Sequence, residues 1–211
     1  MDRVDTLDAM TWRDVTAWTE STVVTGLMVP CSRVCSPCIR HARLPIVFVV
    51  HGTRKFLDRV REPTAARVEQ STTVLGDWYA TVLFWKSRVA LFVNESTLLP
   101  VLMPFAPAAS VIDRFPATVA TVLGAHGVSR TFMERELVGM SEHRLAKTTN
   151  RSVVGIMNEF AHLGLAYPLL NGIQDLVALS LWLAETPCGP LYNRHGSPDR
   201  ELAALASQHP D

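Results

Sequence analysis

The sequence has no excess charge of either sign and no long hydrophobic run. Its 211 residues contain 20 Lys and Arg and 20 Asp and Glu, so the net basic charge typical of nucleic-acid-binding domains is missing. The most apolar stretch, residues 97–112, is interrupted by three prolines and is shorter than the ~18 residues that a membrane span requires. These features disfavour nucleic acid as a partner and argue against a membrane-spanning segment.

The common catalytic and nucleotide-binding motifs are also missing. There is no G-x-x-x-x-G-K-[ST], no G-x-G-x-x-G, no H-E-x-x-H and no G-x-S-x-G. The seven histidines are scattered along the chain. An isolated histidine such as His51, which follows a strand, or His162, on a helix, is more often structural than catalytic. The motifs therefore indicate no reaction class, and we expect no cofactor.

Residues 1–45 differ in composition from the rest of the chain. Five acidic residues lie within residues 1–20, which argues against a secretory signal peptide there and favours a cytoplasmic protein. Few periodic patterns and three of the four cysteines occur in residues 1–45. We expect this segment to be a poorly ordered N-terminal extension, or the product of a misassigned start, preceding a single α+β domain at residues 46–211.

The three N-terminal cysteines form a C-x3-C-x2-C pattern, with a histidine three residues later: Cys31, Cys35, Cys38 and His41. Thiolates at this spacing can reach one metal ion, so a zinc site and an iron–sulfur cluster of the radical S-adenosylmethionine type are both chemically possible. Pro37 occupies the place where that radical family usually has an aromatic residue, which argues against the cluster. The favoured interpretation is a chance grouping that binds no metal.

The strands of the main domain are indicated by β-branched and aromatic runs. Residues 46–50 form a continuous apolar run typical of a buried strand. Two further runs, 78–85 and 88–94, are separated by Lys86-Ser87 and predict a β-hairpin. A third extended segment, 98–103, contains Pro100, which favours an edge strand.

Helical spacing of apolar residues begins at residue 110. Successive helices are predicted to begin near Ser110, Ser129, Asn150, Ile173 and Ser197, with a short strand at 143–147. Strands that precede a series of helices indicate an α+β fold. We therefore expect an antiparallel sheet with a central β-hairpin, packed against a layer of four or five helices.

Polar residues cluster at the predicted start of the helix at Asn150. Lys147 and Arg151 lie beside that helix N-terminus, where free N–H groups could hold an anion. The favoured alternative is a capped helix start, with Asn158 bonded to a neighbouring loop. Trp78 and Asn94, at the far end of the hairpin, could line a cleft or act as core and turn residues.

Four segments of the chain resemble a bacterial family of unknown function, domain of unknown function 6933. They are T-R-K-F-L at 53–57, L-G-D-W-Y-A at 75–80, L-F-V-N-E-S-T-L at 91–98 and K-T-T-N-R-S-V-V-G-I-M-N-E-F at 147–160. The resemblance covers about residues 46–205 and leaves out residues 1–45. It implies no activity.

Three functions are open at this stage. Small size, neutral charge and missing catalytic motifs favour a binding or regulatory module that acts on a partner protein, for example within a mobile-element or toxin–antitoxin system. The second is a small enzyme whose polar cleft lies between the hairpin and the Asn150 helix, lined by Trp78, Asn94, Lys147, Asn150, Arg151 and Asn158. The third, weak nucleic-acid binding through basic residues of 54–67, competes with a simple solvated helix face.

Overall fold

The structure is a computed structural model that describes residues 47–65, 71–171 and 175–209. The expectations for residues 1–45, including the cysteine cluster, lie outside the described residues. The elements are, in chain order, β1 (Val47–Gly52), α1 (Arg54–Val60), β2 (Trp78–Phe84), β3 (Arg88–Asn94), β4 (Pro100–Pro104), α2 (Val111–Ala125), α3 (Arg130–Gly139), β5 (Glu142–Lys147), α4 (Arg151–Asn171), α5 (Leu176–Ala184) and α6 (Pro198–Ser207).

The five strands form one mixed sheet in the order β4-β3-β2-β1-β5. β1 is parallel to both β2 and β5, whereas β3 is antiparallel to both β2 and β4. The prediction of a purely antiparallel sheet was therefore wrong. The connection from β1 to β2 spans residues 53–77 and includes α1, which is long enough to return the chain in the same direction.

The prediction for the edge of the sheet is confirmed. β4 lies at one end of the strand order, and it begins and ends with a proline. Proline lacks the N–H that an interior strand needs, so it is tolerated mainly at a sheet edge.

Helices cover both faces of the sheet. The first face, which carries Trp78, Ala80 and Val82, packs against residues of α1, α2, α3 and α6. The second face, which carries Tyr79 and Leu83, packs against α4, while α5 contributes residues to both clusters. Five helices follow β4, as predicted, but the expectation of one helical layer was wrong because periodicity reports only that a helix has a buried side.

Stacked aromatic rings fill the first face. Phe115 of α2 stacks on Phe92 with 3.9 Å between ring centroids, and it meets Trp78 edge-on at 5.0 Å. All three side chains are fully buried, and each such burial stabilises the fold by roughly 2–3 kcal/mol. The helical period that begins near Ser110 places Phe115 on the inner side of α2.

Among the described residues, no helix combines the length and apolarity needed to cross a membrane.

Ser180 of α5 protects the exposed edge of β4. Its hydroxyl accepts a hydrogen bond from the Leu102 N–H at 2.9 Å and donates one to the Leu176 carbonyl at 2.8 Å. The side chain is fully buried, so water cannot replace it. Because this N–H at the sheet edge is already paired, it is not available to pair with a strand of another molecule.

We predict that Ser180→Ala lowers the free energy of unfolding by about 1 kcal/mol, because the buried Leu102 N–H loses its acceptor. Urea denaturation measures the change. Ser207→Ala is the matched control, since the Ser207 hydroxyl also bonds a helix carbonyl but is exposed. Equal small effects in both variants would contradict the role given to Ser180.

Candidate functional site

A crevice opens at the carboxyl ends of β1 and β5. Gly52 and Lys147, the last residues of these parallel strands, are register partners. From there the chain leaves in opposite directions, because α1 packs on the first face and α4 on the second. In sheets of parallel strands, this divergence is a topological switch point, where ligands characteristically bind.

Most of the residues that line the crevice are polar. Its volume is 580 Å³, within the range of about 300–1,000 Å³ for small-molecule sites. It is lined by Gly52, Arg54, Leu57, Asp58, Thr64, Lys147 and Thr148. These include two cations, one carboxylate, two hydroxyls and a single large apolar side chain, so the crevice suits a small, anionic ligand better than an apolar one.

Gly52 sets the width of the crevice. A Cβ at this position would lie 2.6 Å from Leu57 Cδ2, closer than van der Waals contact permits. Glycine therefore lets α1 begin two residues after β1 and pack directly against it. This short connection keeps Arg54 at the mouth of the crevice.

His51 fixes the backbone of Lys147, one of the residues that line the crevice. Its Nδ1 lies 3.0 Å from the Lys147 carbonyl oxygen, and its Nε2 lies 2.9 Å from Asp77 Oδ2. A carbonyl oxygen and a carboxylate only accept hydrogen bonds, so both ring nitrogens act as donors and His51 is an imidazolium. Burial lowers the pKa of His51, but the bonds to Asp77 and Lys147 outweigh it, and the pKa is raised above 6.5.

Asp77 completes a partly buried ion pair. Burial raises the pKa of its carboxyl group, but hydrogen bonds from His51 and Ser71 outweigh that effect and the pKa is lowered below 3.8. The His51 side chain is only 8% exposed. The pair joins β1, the end of β5 and the residues before β2. His51 thus holds the backbone of Lys147 in place.

Tyr79 connects this pair to the start of α4. Its ring stacks on His51 with 4.7 Å between centroids. The Tyr79 hydroxyl donates to Glu95 Oε1 at 3.3 Å and accepts from the Asn150 N–H at 3.2 Å. The Asn150 amide also donates to Glu95 at 3.0 Å, while its oxygen accepts from Ser152 N. The predicted cap at Asn150 is confirmed, and the first turn of α4 is fixed beside the crevice.

The six candidate ligand residues from the sequence do not share one cleft. Trp78 and Asn94 are fully buried, and the Asn94 side chain bonds only its own surroundings: Leu75 O, Asp77 O, Ser96 and Thr97. Lys147 lines the crevice, and Asn150 caps α4. Arg151 and Asn158 are exposed on α4 and do not line the crevice.

Sequence reasoning did not place Arg54, Thr64 or Thr148 in a cleft with Lys147, and it considered Arg54 only as one of the basic residues of 54–67. Thr64 reaches the crevice because residues 61–65 run beside β5, with a bridge from Thr64 to Leu145. The sequence feature that could have located the crevice is Gly52, at the end of a buried strand, followed by polar residues. That signal points to a ligand only when the strand has parallel neighbours, and the predicted sheet was antiparallel.

Two further kinds of site can be assessed among the described residues: a reactive thiol and a group of metal ligands. Burial, assisted by the charge of Glu159, raises the pKa of the Cys188 thiol to about 11, so it stays protonated near neutral pH. Within residues 47–65, 71–171 and 175–209, no three His, Cys, Asp or Glu side chains are grouped as metal ligands. The predicted cysteine site at Cys31, Cys35, Cys38 and His41 lies outside these ranges.

Comparison with known families agrees with the resemblance noted in the sequence. The model of the domain of unknown function DUF6933 matches residues 49–201. The chain belongs to this family. The DUF6933 match contains every residue that lines the crevice and the whole network around His51. No curated protein and no solved structure matched the chain.

Proposed function

We propose that the protein binds a small phosphate-bearing molecule in the crevice between the ends of β1 and β5. The observation that carries the proposal is the switch point itself, with Arg54 and Lys147 on its two sides. Arginine can bind phosphate through two parallel hydrogen bonds, and lysine acts as a point charge. Thr64 and Thr148 add hydroxyl donors.

The same geometry favours binding over catalysis. The nearest candidate for a general base, His51, has both nitrogens engaged and is already protonated. Its partner Asp77 accepts from His51 and from Ser71 N, so it is committed to holding the loop before β2. Most of the other polar groups around the crevice are cations and hydroxyls, and the one carboxylate, Asp58, lies 3.8 Å from the Arg54 guanidinium. This set suits holding an anion better than moving a proton.

Action on a partner protein stays a prediction. The large exposed hydrophobic side chains among the described residues are Phe84, Val138, Leu163, Leu165 and Tyr192. They are spread over β2, α3, α4 and the segment that precedes α6. A ligand that contacts both α1 and β5 could regulate the binding of a partner protein. Ligand binding in the crevice and action on a partner are therefore compatible.

We predict that Lys147→Ala weakens binding of pyrophosphate, used as the probe, by about 10-fold or more, because a charge-assisted hydrogen bond contributes about 1.5–3 kcal/mol. Isothermal titration calorimetry measures the affinity. Arg144→Ala is the matched control: it removes the same charge from the exposed part of the same strand, outside the crevice, and should bind as the wild type does.

Two results would contradict the proposal. One is the absence of heat with pyrophosphate, inorganic phosphate and nucleoside triphosphates alike. The other is equal affinity for wild type, Lys147→Ala and Arg144→Ala, which would place any binding elsewhere. Circular dichroism of Lys147→Ala shows whether a loss of binding comes from a loss of structure.

A further inference from the structure

An exposed aromatic ring at the end of β2 lies beside two cations of α1. Phe84 is 52% exposed, although it lies on a strand whose other residues are mostly buried. The Arg59 guanidinium lies over its ring, 4.6 Å from the centroid, and Lys55 Nζ lies 6.0 Å away. Arginine stacked on one side of an aromatic ring holds that ring in place through a cation–π interaction.

Two more cations lie in the β2–β3 turn and at the start of β3. Arg88 is the register partner of Phe84, and Lys86 lies in the turn between the strands. Residues 78–94 contain no Asp or Glu, so these cations have no acidic neighbour on their own strands. We call Phe84 with Lys55, Arg59, Lys86 and Arg88 the Phe84 surface.

α1 separates this surface from the crevice. Lys55 and Arg59, four residues apart, face Phe84, whereas Arg54 and Asp58 line the crevice. Asp58, the acidic residue of α1, lies 3.8 Å from Arg54. The side of α1 that faces the crevice therefore carries both signs of charge, whereas the side that faces Phe84 carries only basic residues.

We propose that the Phe84 surface binds single-stranded nucleic acid, which goes beyond the function proposed for the crevice. An unpaired base can stack on the exposed part of the Phe84 ring, and its flanking phosphates can pair with the four cations. A duplex has no exposed base faces for Phe84. An acidic peptide would use the cations without a base to stack on the ring. An anionic lipid surface would bury the ring without stacking on it, so the two ligands are separated from a single strand by direct comparison of affinities.

Overall composition hides this surface. The chain has no net charge, and Lys55 and Arg59 precede Lys86 and Arg88 by about thirty positions in the sequence. Only the packing of α1 on the first face of the sheet brings them around one aromatic ring. This is why the sequence placed nucleic-acid binding behind other functions.

Two quantities identify the mode of binding. Neutralising about four phosphates of a single strand should make the logarithm of the affinity fall with the logarithm of salt concentration with a slope of about −3. Removing a stacking ring should weaken binding by about 10-fold. Purely electrostatic binding would show the salt dependence without the dependence on the ring.

Fluorescence anisotropy with a labelled oligothymidylate tests the proposal on the full-length protein. We expect salt-dependent binding by the wild type, about 10-fold weaker binding by Phe84→Leu, and weaker binding with a smaller salt slope by Lys86→Glu. Phe84→Leu changes a half-exposed residue, so the fold should be retained. Arg130→Glu is the matched control for Lys86→Glu, because it makes the same change of charge at an exposed residue of α3.

Four outcomes would overturn the proposal. Three of them are no binding of oligothymidylate at low salt, equal binding by Phe84→Leu and wild type, and tighter binding to duplex DNA, to polyglutamate or to phosphatidylserine vesicles than to the single strand. Equal losses in Lys86→Glu and Arg130→Glu would also overturn it, since they would show that net charge and not this surface decides.

Discussion

Replacing Asn94 with Ala should lower the free energy of unfolding by about 3–4 kcal/mol, the largest effect expected of any substitution proposed here. The Asn94 amide donates to the carbonyls of Leu75 and Asp77 at 2.9 and 3.2 Å. Its oxygen accepts from the backbone N–H groups of Ser96 and Thr97. Alanine removes all four of these bonds. The buried Thr97 N–H then loses its acceptor, and the loop before β2 stays tied to the end of β3 only by Ser96 Oγ to Leu75 O and by Glu95 N to Asp77 O.

Asn158→Ala is the matched control, because Asn158 is exposed on α4. An exposed substitution away from caps and networks changes stability by about 0.5 kcal/mol or less. Thermal and chemical denaturation of both variants provide the comparison. Equal stability of Asn94→Ala and Asn158→Ala would contradict the structural role given to Asn94. A role of Asn94 in ligand binding would then again be a candidate.

Asp77→Asn is the second large effect, with an expected loss of about 2–3 kcal/mol at pH 6. The substitution keeps the shape of the side chain but removes the negative charge opposite the buried His51 imidazolium. A buried charge left without its partner is strongly destabilising. The loss is measured by urea denaturation.

The chain contains a suitable control in a second histidine–carboxylate pair. His143 Nε2 lies 2.9 Å from Glu62 Oε2, the same distance as in the His51–Asp77 pair, but both side chains are more exposed, at 27% and 32%. Glu62→Gln should therefore cost about 1 kcal/mol or less. Similar losses for the two substitutions would contradict the buried, charged state of His51.

The pH dependence of the Asp77→Asn effect follows from the two pKa shifts. Asp77 has a lowered pKa, so its contribution is present above pH 3.8 and is lost as pH falls through the lowered value. His51 has a raised pKa, so its contribution is fully present below pH 6.5 and is lost as pH rises through the raised value. The stability difference between wild type and Asp77→Asn should be largest between these limits and shrink on the alkaline side.

Much of the local structure could be read from the sequence because local signals determine it. The cap at Ser129 is seen in the structure, with its hydroxyl accepting from Phe132 N, and α6 begins with Pro198 after Ser197. The proline at the start of β4 indicated an edge strand for a steric reason that holds in any fold. These features depend on residues that are close together in the chain.

The strand directions and the distribution of helices could not be read in the same way. Whether β1 pairs in parallel with β2 depends on where the chain between them packs, and no local pattern in residues 53–77 reports that. The buried side of α4 and the buried side of α2 have the same periodicity, yet they cover opposite faces. Long-range packing decides both, so the sheet was expected to be antiparallel.

The candidate site was found only in part for the same reason. Lys147 and Asn150 were singled out because they lie at the start of a helix, a local feature. Arg54 and Thr64 come from other segments and meet Lys147 only because β1 and β5 are parallel neighbours. For Trp78 the sequence left a cleft and the core equally open, because an aromatic residue at a strand end serves both, and the structure buries it fully.

Backbone amide chemical shifts, followed by NMR during a titration with pyrophosphate, test the crevice most directly. Binding at the switch point should shift the amides of Gly52, Arg54, Lys147 and Thr148 together, with one saturating affinity. These shifts should be absent in Lys147→Ala at the same concentration of pyrophosphate. Saturating shifts confined to other residues, or no shifts at all, would contradict a phosphate-binding crevice between β1 and β5.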